Sequence, residues 1–232
     1  MPLTRRDVLR GTTAILAVGS LTLVTGAGSA SAGAHPTLRM GSRGPAVRGL
    51  QGRLTALGYW LGAVDGQYGD LTRQAVWALQ KVAGLERDGV CGPATWSAVD
   101  AGRRPKARSA KGHVIEIDKP TQTLLVADHG VVALILNTST GSGRKYRSGG
   151  KEHVAVTPSG DFRVFRRVDD WDDGPLGKLY RPQYFNGGIA VHGYPSVPPT
   201  PASHGCCRVS LPAIDLLWGA GGMEVGTRVL VR

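Results

Sequence analysis

The spacing of apolar residues changes once along this 232-residue chain, and that change constrains the fold more than any other feature. Between residues 38 and 100, apolar side chains recur at helical spacing, which is typical of amphipathic helices. From residue 112 onward, runs of β-branched residues alternate with turn dipeptides, which is typical of strands. We therefore predict an α+β protein, with a small three-helix bundle at residues 38–100 and a mainly antiparallel, sandwich-like β domain at residues 112–232.

The first segment is predicted to hold three helices. One face of the first helix is formed by Val47, Leu50, Leu54 and Leu57. The second helix runs from about residue 71 to 83, and Gly84 lies just beyond it, where glycine readily adopts the left-handed backbone that ends a helix. The third helix begins near Pro93, because proline is well tolerated in a first turn.

The second segment is predicted to form strands at residues 114–118, 121–127, 131–137, 162–168, 188–192 and 227–232. Turn residues separate the first three strands, so we expect an antiparallel meander there. One helix, at about residues 212–219, interrupts the series. Residues 140–154 and 168–187 are predicted to be long loops, of the kind that carry function on a rigid scaffold.

Residues 101–111 contain five basic side chains, one proline and no apolar period, so we predict a linker. The whole chain has 28 basic and 17 acidic residues, a formal net charge of +11. Such an excess suits a polyanionic partner, and charge alone does not choose between nucleic acid and a cell envelope. We interpret the basic run as solvated, with contact to an anionic polymer as the alternative.

The first 32 residues predict a removable export signal. Arg5 and Arg6 precede a mildly apolar run at residues 14–24, and an A-x-A cleavage site follows at residues 30–32. The run is too short and too rich in small polar residues to cross a bilayer, so no stable membrane span is expected after cleavage. The paired arginines resemble a twin-arginine signal, and an ordinary secretory signal is the alternative.

A cysteine near the C-terminus carries the clearest chemical signal. Cys206 lies in the sequence SHGCCR at residues 203–208, downstream of His192 at the end of a predicted strand. A thiol at its ordinary pKa is mostly protonated near neutral pH, so it needs a neighbouring base, and Arg208 would also favour the thiolate. Gly205 permits a tight turn, so the N–H groups of Gly205 and Cys206 could stabilise an oxyanion. These residues predict a cysteine acyltransferase.

The His-Gly pair at residues 192–193, a proline-rich loop and the Ser-His-Gly-Cys-x-Arg sequence resemble the signature of YkuD-like L,D-transpeptidases, which are bacterial cell-wall enzymes. Residues 157–162 resemble the family's Thr-Pro-x-Gly-x-Phe segment. The resemblance implies that Cys206 attacks the third residue of a peptidoglycan stem peptide, expels the terminal D-alanine and passes the acyl group to an amine of a neighbouring stem. It further implies that His192 is the general base, that the Gly193 carbonyl orients its ring, and that no cofactor is needed.

Other residues near this signature are predicted to support the site. The candidates around the nucleophile are Ser203, His204, Gly205 and Arg208. Tyr180 and Arg208 are predicted to contact substrate carboxylates, and Tyr194 to shape the pocket rim. We expect no metal, because the alternative of a zinc site from His192, His204 and Cys206 lacks an H-x-H or H-E-x-x-H pair and an acidic ligand. The remaining histidines are interpreted as solvated: His113, His129 and His153.

The helical segment resembles the three-helix type of peptidoglycan-binding domain, through the sequences LGY at residues 57–59, DGQYG at 65–69 and DGVCGPATW at 88–96. The resemblance implies peptidoglycan, not nucleic acid, as the partner, and a protein of the cell wall, the periplasmic space or the medium. Tyr59, Trp60 and Tyr68 could stack on sugar rings or fill the small core, and both interpretations remain open.

Three cysteines are an odd number, so at least one thiol stays free even in an oxidising environment. Cys207 is interpreted as a small buried hydrophobe, with a strained disulfide to Cys206 as the alternative. Cys91 is predicted to be buried. Two functional alternatives also remain: hydrolysis of stem peptides by an L,D-carboxypeptidase or endopeptidase, and a non-catalytic wall-binding protein.

Overall fold

Three helices open the part of the chain that the computed structural model describes, residues 35–220 and 222–232. They are α1 (Pro45–Ala56), α2 (Asp70–Ala83) and α3 (Pro93–Asp100). Proline begins α1 and α3, and Gly84 ends α2 with a left-handed φ of 68°. The three predicted helices are confirmed. The predicted export signal at residues 1–32 lies outside the described residues.

The remaining elements are twelve strands and a fourth helix within the described residues. The strands are β1 (His113–Asp118), β2 (Thr123–Asp128), β3 (Val131–Asn137), β4 (Lys145–Ser148), β5 (Lys151–Val154), β6 (Gly160–Arg163), β7 (Arg166–Arg167), β8 (Trp171–Gly174), β9 (Gly177–Asn186), β10 (Ile189–Gly193), β11 (Cys207–Val209) and β12 (Arg228–Val231). The helix is α4 (Leu211–Trp218), between β11 and β12.

Two five-stranded sheets form the β domain. The first sheet has the order β3-β2-β1-β12-β6, and only its β1–β12 pair is parallel. The second has the order β11-β10-β9-β7, with β8 also paired to β9, and only its β10–β11 pair is parallel. Apolar residues of both sheets and of α4 share one core. The predicted α+β class, with mainly antiparallel strands, is confirmed.

The two predicted loops are a correction, because each contains a β-hairpin. Residues 140–154 hold β4 and β5, which pair only with each other and are largely exposed. Residues 168–187 hold β8 and the ten-residue β9, the central strand of the second sheet. Neither hairpin shows a buried face of alternating apolar residues, so the hydrophobic pattern gave no strand signal. Pairing between strands, rather than local sequence preference, defines them.

The helical module packs directly on the first sheet. Leu125, Val132 and Ile135 of the sheet lie in the same core as the buried faces of α1 and α2. The backbones also pair, because Ile135 N–H donates to Gly58 O at 2.8 Å and Trp60 N–H donates to Ile135 O at 3.1 Å. The first sheet is therefore covered on both faces, which explains why β2 is buried along most of its length without alternation.

The aromatic residues of the helical module were predicted either to stack on sugar rings or to fill the core, and their burial decides between the two for the tyrosines. Tyr59 and Tyr68 are fully buried, and their hydroxyls donate to Arg103 O at 2.8 Å and Gly89 O at 2.7 Å. Trp60 is half-buried against the core of the β domain. The two tyrosines fill the small core and have no ring face free for a sugar.

The predicted linker is bonded to the β domain. The Arg104 side chain donates to Val132 O, and the N–H groups of Arg108 and Ser109 donate to the buried carboxylate of Glu116 at 3.0 and 2.7 Å. The basic side chains themselves are exposed, as predicted. All described residues fall within one compact unit.

Separating the two parts of this unit should destabilise the β domain. A fragment of residues 106–232 would expose Leu125, Val132 and Ile135, and burial of such side chains contributes about 1.5–3 kcal/mol each. The expected loss, on the order of 5 kcal/mol, is comparable to the whole stability of many domains. Thermal unfolding of this fragment, compared with that of residues 35–232, measures the loss. Equal melting temperatures would show that the helical module does not stabilise the β domain.

Candidate active site

A cavity of about 580 Å³ lies where the two hairpins meet the ends of β10 and β11. The β4–β5 hairpin forms one wall, the tip of the β8–β9 hairpin another, and residues 203–208 the floor. Among the predicted site residues, those that line this cavity are His192, Tyr194, Ser203, His204, Gly205, Cys206 and Arg208. The fold therefore brings the two chemically reactive candidates, the thiol and the imidazole, to one cavity.

Strand pairing explains how His192 and Cys206 come together. β10 and β11 are parallel neighbours, with His192 opposite Arg208 and Val191 opposite Cys207. Cys206 therefore lies immediately before β11, level with Ala190 near the start of β10. Because successive side chains of a strand point to opposite faces, Cys206 faces the cavity while Cys207 faces the core.

The His192 ring is held by its own chain. Its Nδ1 lies 2.9 Å from Gly193 O, and the side chain is 2% exposed. A carbonyl oxygen can only accept a hydrogen bond, so the proton of the neutral imidazole is assigned to Nδ1 and the Nε2 lone pair is left free. This tautomer is the one that a proton acceptor in the cavity requires.

Burial sets the ionisation of both groups. It lowers the pKa of His192 to about 4, with the Gly193 hydrogen bond opposing and the Arg208 charge reinforcing that change. Burial also raises the pKa of the Cys206 thiol, against the opposing effects of the Ala190 backbone and the Arg208 charge. Near neutral pH the resting pair is therefore a neutral imidazole and a protonated thiol.

The turn that carries Cys206 is fixed by a short set of hydrogen bonds. Ser203 Oγ accepts from Gly205 N–H at 3.0 Å and donates to Cys206 O at 2.5 Å. Thr157 Oγ1 donates to Gly205 O at 2.6 Å. Gly205 has a φ of +146°, and a Cβ there would lie 3.0 Å from Val156 O, so only glycine fits without strain.

Gly193 has a packing role besides its carbonyl. A Cβ at this position would lie 2.7 Å from a methyl group of Ile214 and 2.9 Å from the Tyr180 ring. Tyr180 therefore packs behind the strand, near Trp171, and is absent from the cavity walls. The predicted substrate contact by Tyr180 is not supported by this position, because the ring faces the core side of β10.

The cavity wall formed by the β4–β5 hairpin is aromatic. The Tyr146 ring stacks on His153 at 5.4 Å and meets His204 edge-on at 4.6 Å. On the floor, the Arg208 guanidinium lies 4.0 Å from the centre of the Tyr194 ring. The described cavity walls also include Lys178 and contain no carboxylate, so the cavity favours an anionic ligand.

The three cysteines are free thiols. Cys207 and Cys91 are fully buried, as predicted, and burial raises the pKa of each thiol. Only Cys206 is partly accessible to solvent. Within the described residues, no three His, Cys, Asp or Glu side chains are placed to hold a metal ion, and no helix is long and apolar enough to cross a membrane.

Two family models match the chain. The model of the L,D-transpeptidase catalytic domain, named YkuD, matches residues 112–231, which is more than half of the chain. The chain belongs to the L,D-transpeptidase family. The chain also matches the model of a peptidoglycan binding domain, at residues 43–99.

One solved structure agrees with this assignment, whereas the amidase relatives match only the binding domain. A crystal structure of the L,D-transpeptidase from Xylanimonas cellulosilytica is 51% identical, covers 84% of this chain and 97% of its own, and superposes with a TM-score of 0.82. N-acetylmuramoyl-L-alanine amidase CwlL of Bacillus licheniformis is 46% identical over 78 residues, 32% of this chain and 22% of the amidase. Zinc D-Ala-D-Ala carboxypeptidase of Streptomyces albus G is 46% identical over 66 residues, 27% of this chain and 26% of its own. The chain thus spans only about a quarter of the length of these two relatives.

Several residues in and around the cavity were not predicted from the sequence. Tyr146 was not identified, because its hairpin was predicted to be a loop, and His153 was interpreted as solvated although it lines the cavity. Thr157 was noted only as part of a resemblance. Its contact with Gly205 joins residues that are distant in sequence, and a local sequence pattern cannot predict such a contact.

Proposed function

We propose that this protein is a peptidoglycan L,D-transpeptidase in which Cys206 is the nucleophile and His192 the general base. One observation carries the proposal: the partly exposed Cys206 shares a cavity with an imidazole whose Nδ1 is committed to Gly193 O, which leaves Nε2 free to accept the thiol proton. Membership of the L,D-transpeptidase family supports the reaction type.

In the acylation step, Cys206 Sγ forms a bond to the carbonyl carbon of the third stem residue while its proton passes to His192 Nε2. The carbon–nitrogen bond to D-alanine then breaks, and His192 returns the proton to the leaving nitrogen. Because the resting pair is neutral, proton transfer accompanies the attack. The products are a thioester on Cys206 and free D-alanine.

In the second step an acceptor amine attacks the thioester carbon. Its proton passes to His192, and the Cys206 thiolate leaves and recovers a proton from the imidazolium. The net change is one amide bond broken and one formed, so no oxidant, metal or cofactor enters the balance.

For the oxyanion we propose the Cys206 N–H as the donor. The Gly205 N–H, the other predicted donor, is already bonded to Ser203 Oγ. Within residues 35–220 and 222–232, the Cys206 N–H donates to no acceptor. It also belongs to the attacking residue itself, so it lies close to the reacting carbonyl. A preorganised donor at this point would stabilise charge that develops only during reaction.

We further propose that the stem carboxylates are attracted by Arg208 and Lys178, and that residues 38–100 hold the enzyme on peptidoglycan. The family match at residues 43–99 supports binding, and the positive net charge suits a wall with acidic groups. The predicted export signal would bring the enzyme to the cell wall.

Product analysis tests this function. Residues 33–232 are incubated with a tetrapeptide stem that carries a free acceptor amine, and the products are separated by mass. We expect release of D-alanine together with a cross-linked dimer. D-alanine with tripeptide and no dimer would instead assign hydrolysis, and an unchanged substrate would contradict both activities.

A further inference from the structure

A buried lysine of the helical module contacts the catalytic domain near its active site. Lys81, in the last turn of α2, is 4% exposed. Its Nζ donates to Gln122 O at 2.8 Å, to Thr138 O at 3.1 Å and to Asn137 Oδ1. Burial and the nearby Arg87 lower the pKa of this amine, whereas the three oxygen acceptors stabilise its ammonium form. A buried amine is costly unless its hydrogens find acceptors, and here three oxygens of the catalytic domain supply them.

A second residue of α2 contacts the same asparagine. Gln74 Oε1 accepts from Asn137 Nδ2, and Gln74 Nε2 donates to Val197 O at 3.1 Å, in the loop after β10. Both ends of the Asn137 amide are therefore satisfied by α2, by residues on one face of that helix.

The next contacts lead toward the active site along residues 137–142, which we term the bridging segment. The Gln122 amide, beside the Lys81 contact, donates to Thr140 Oγ1 at 2.7 Å and accepts from Thr140 N–H at 2.9 Å. The backbone carbonyl of Gln122 thus bonds to Lys81 of α2, and its side-chain amide bonds to Thr140 of the bridging segment.

The bridging segment then holds the turn that carries Cys206. Thr140 O accepts from Ala202 N–H and Ser203 N–H, both at 3.0 Å. The backbones of Ser139 and Arg208 exchange two hydrogen bonds, of 3.1 and 2.9 Å. Residues on both sides of Cys206 are therefore tied to a segment whose position depends on α2.

We propose that Lys81, together with Gln74, is a positioning residue for Cys206, so that the helical module sets the acylation rate as well as attaching the enzyme to the wall. The inference rests on the proposed role of Cys206. Its physical basis is that the bridging segment joins both sides of the turn, at Ser203 and Arg208, to a rigid helix. Misplacement of a reacting group by about 1 Å can cost on the order of a hundredfold in rate.

The test compares Lys81→Met with Lys106→Met, which removes an exposed lysine of the linker that makes none of these contacts. Acylation by a carbapenem is followed over a range of concentrations. We expect Lys81→Met to lower the limiting rate about tenfold or more, with the half-saturating concentration within about twofold of the unchanged protein. Hydrogen exchange at residues 202–208 should become faster. Lys106→Met should change neither. A folded Lys81→Met protein with unchanged rate and exchange would overturn the proposal.

A second pair of variants covers the case in which Lys81→Met does not fold. Gln74→Met and Thr140→Val each remove one link and keep the side-chain volume similar. Their effects on the limiting rate should be non-additive in the double variant, since both act through the bridging segment, and additive effects would overturn the proposal. If the unchanged protein takes up no carbapenem, the proposed function fails, while hydrogen exchange still decides whether α2 positions the turn.

Discussion

Replacing Cys206 with serine should abolish formation of the acyl-enzyme. The hydroxyl of serine is a far weaker acid than a thiol, and a buried imidazole whose pKa is about 4 is too weak a base to compensate. After exposure to a carbapenem, the intact mass of Cys206→Ser should equal that of the untreated protein. The expected effect is complete loss, because no other cysteine is accessible in the described part of the chain.

Cys207→Ala is the matched control for this change. Cys207 faces the core, and removal of its sulfur leaves a small cavity that costs on the order of 1 kcal/mol. The variant should fold and still take up one carbapenem. If Cys207→Ala loses the adduct while Cys206→Ser retains it, the two cysteines have been assigned the wrong way round.

Replacing His192 with alanine should lower the acylation rate on the order of a hundredfold or more, the usual effect of losing a general base. The fold should persist by circular dichroism. His129→Ala is a suitable control, since His129 is an exposed turn residue whose ring lies 2.9 Å from the neighbouring Asp128 carboxylate. An unchanged rate in His192→Ala would require another base, and His204 would be the next candidate.

The pH dependence gives this prediction a second measurement. Because the pKa of His192 is about 4, the unchanged protein should keep its base neutral from about pH 5 upward and lose acylation as the pH falls through about 4. In His192→Ala the thiol must ionise without help, and burial raises its pKa. The residual rate of the variant should therefore rise with pH above neutrality. Parallel pH profiles for the two proteins would argue against His192 as the base.

Much of the architecture could be predicted because local signals agreed with the tertiary structure. Proline and glycine at helix ends, and apolar spacing in α1 and α2, fixed the helical module. The position of His192 at the end of a strand and of Cys206 after a tight turn followed from the sequence pattern. The pairing of β11 with β10, which brings the two residues together, was not predicted.

The parts that could not be predicted depend on contacts between distant residues. β9 has polar residues along its length and becomes the central strand of the second sheet through pairing with β10. The contact of Lys81 with Asn137 joins residues from the two predicted domains, and a lysine in the last turn of a helix ordinarily indicates a solvated end. The same limit applies to Tyr180, a predicted substrate contact whose ring packs behind Gly193.

The most direct test of the account is the identity of the group that carries the stem peptide during turnover. The unchanged protein is mixed with a tetrapeptide stem whose acceptor amine is blocked, quenched in acid and fragmented for mass analysis. The account predicts one adduct, equal to the stem without its terminal D-alanine, on Cys206 rather than on the adjacent Cys207. An adduct on Cys207, or D-alanine release without any adduct on a cysteine, would contradict it.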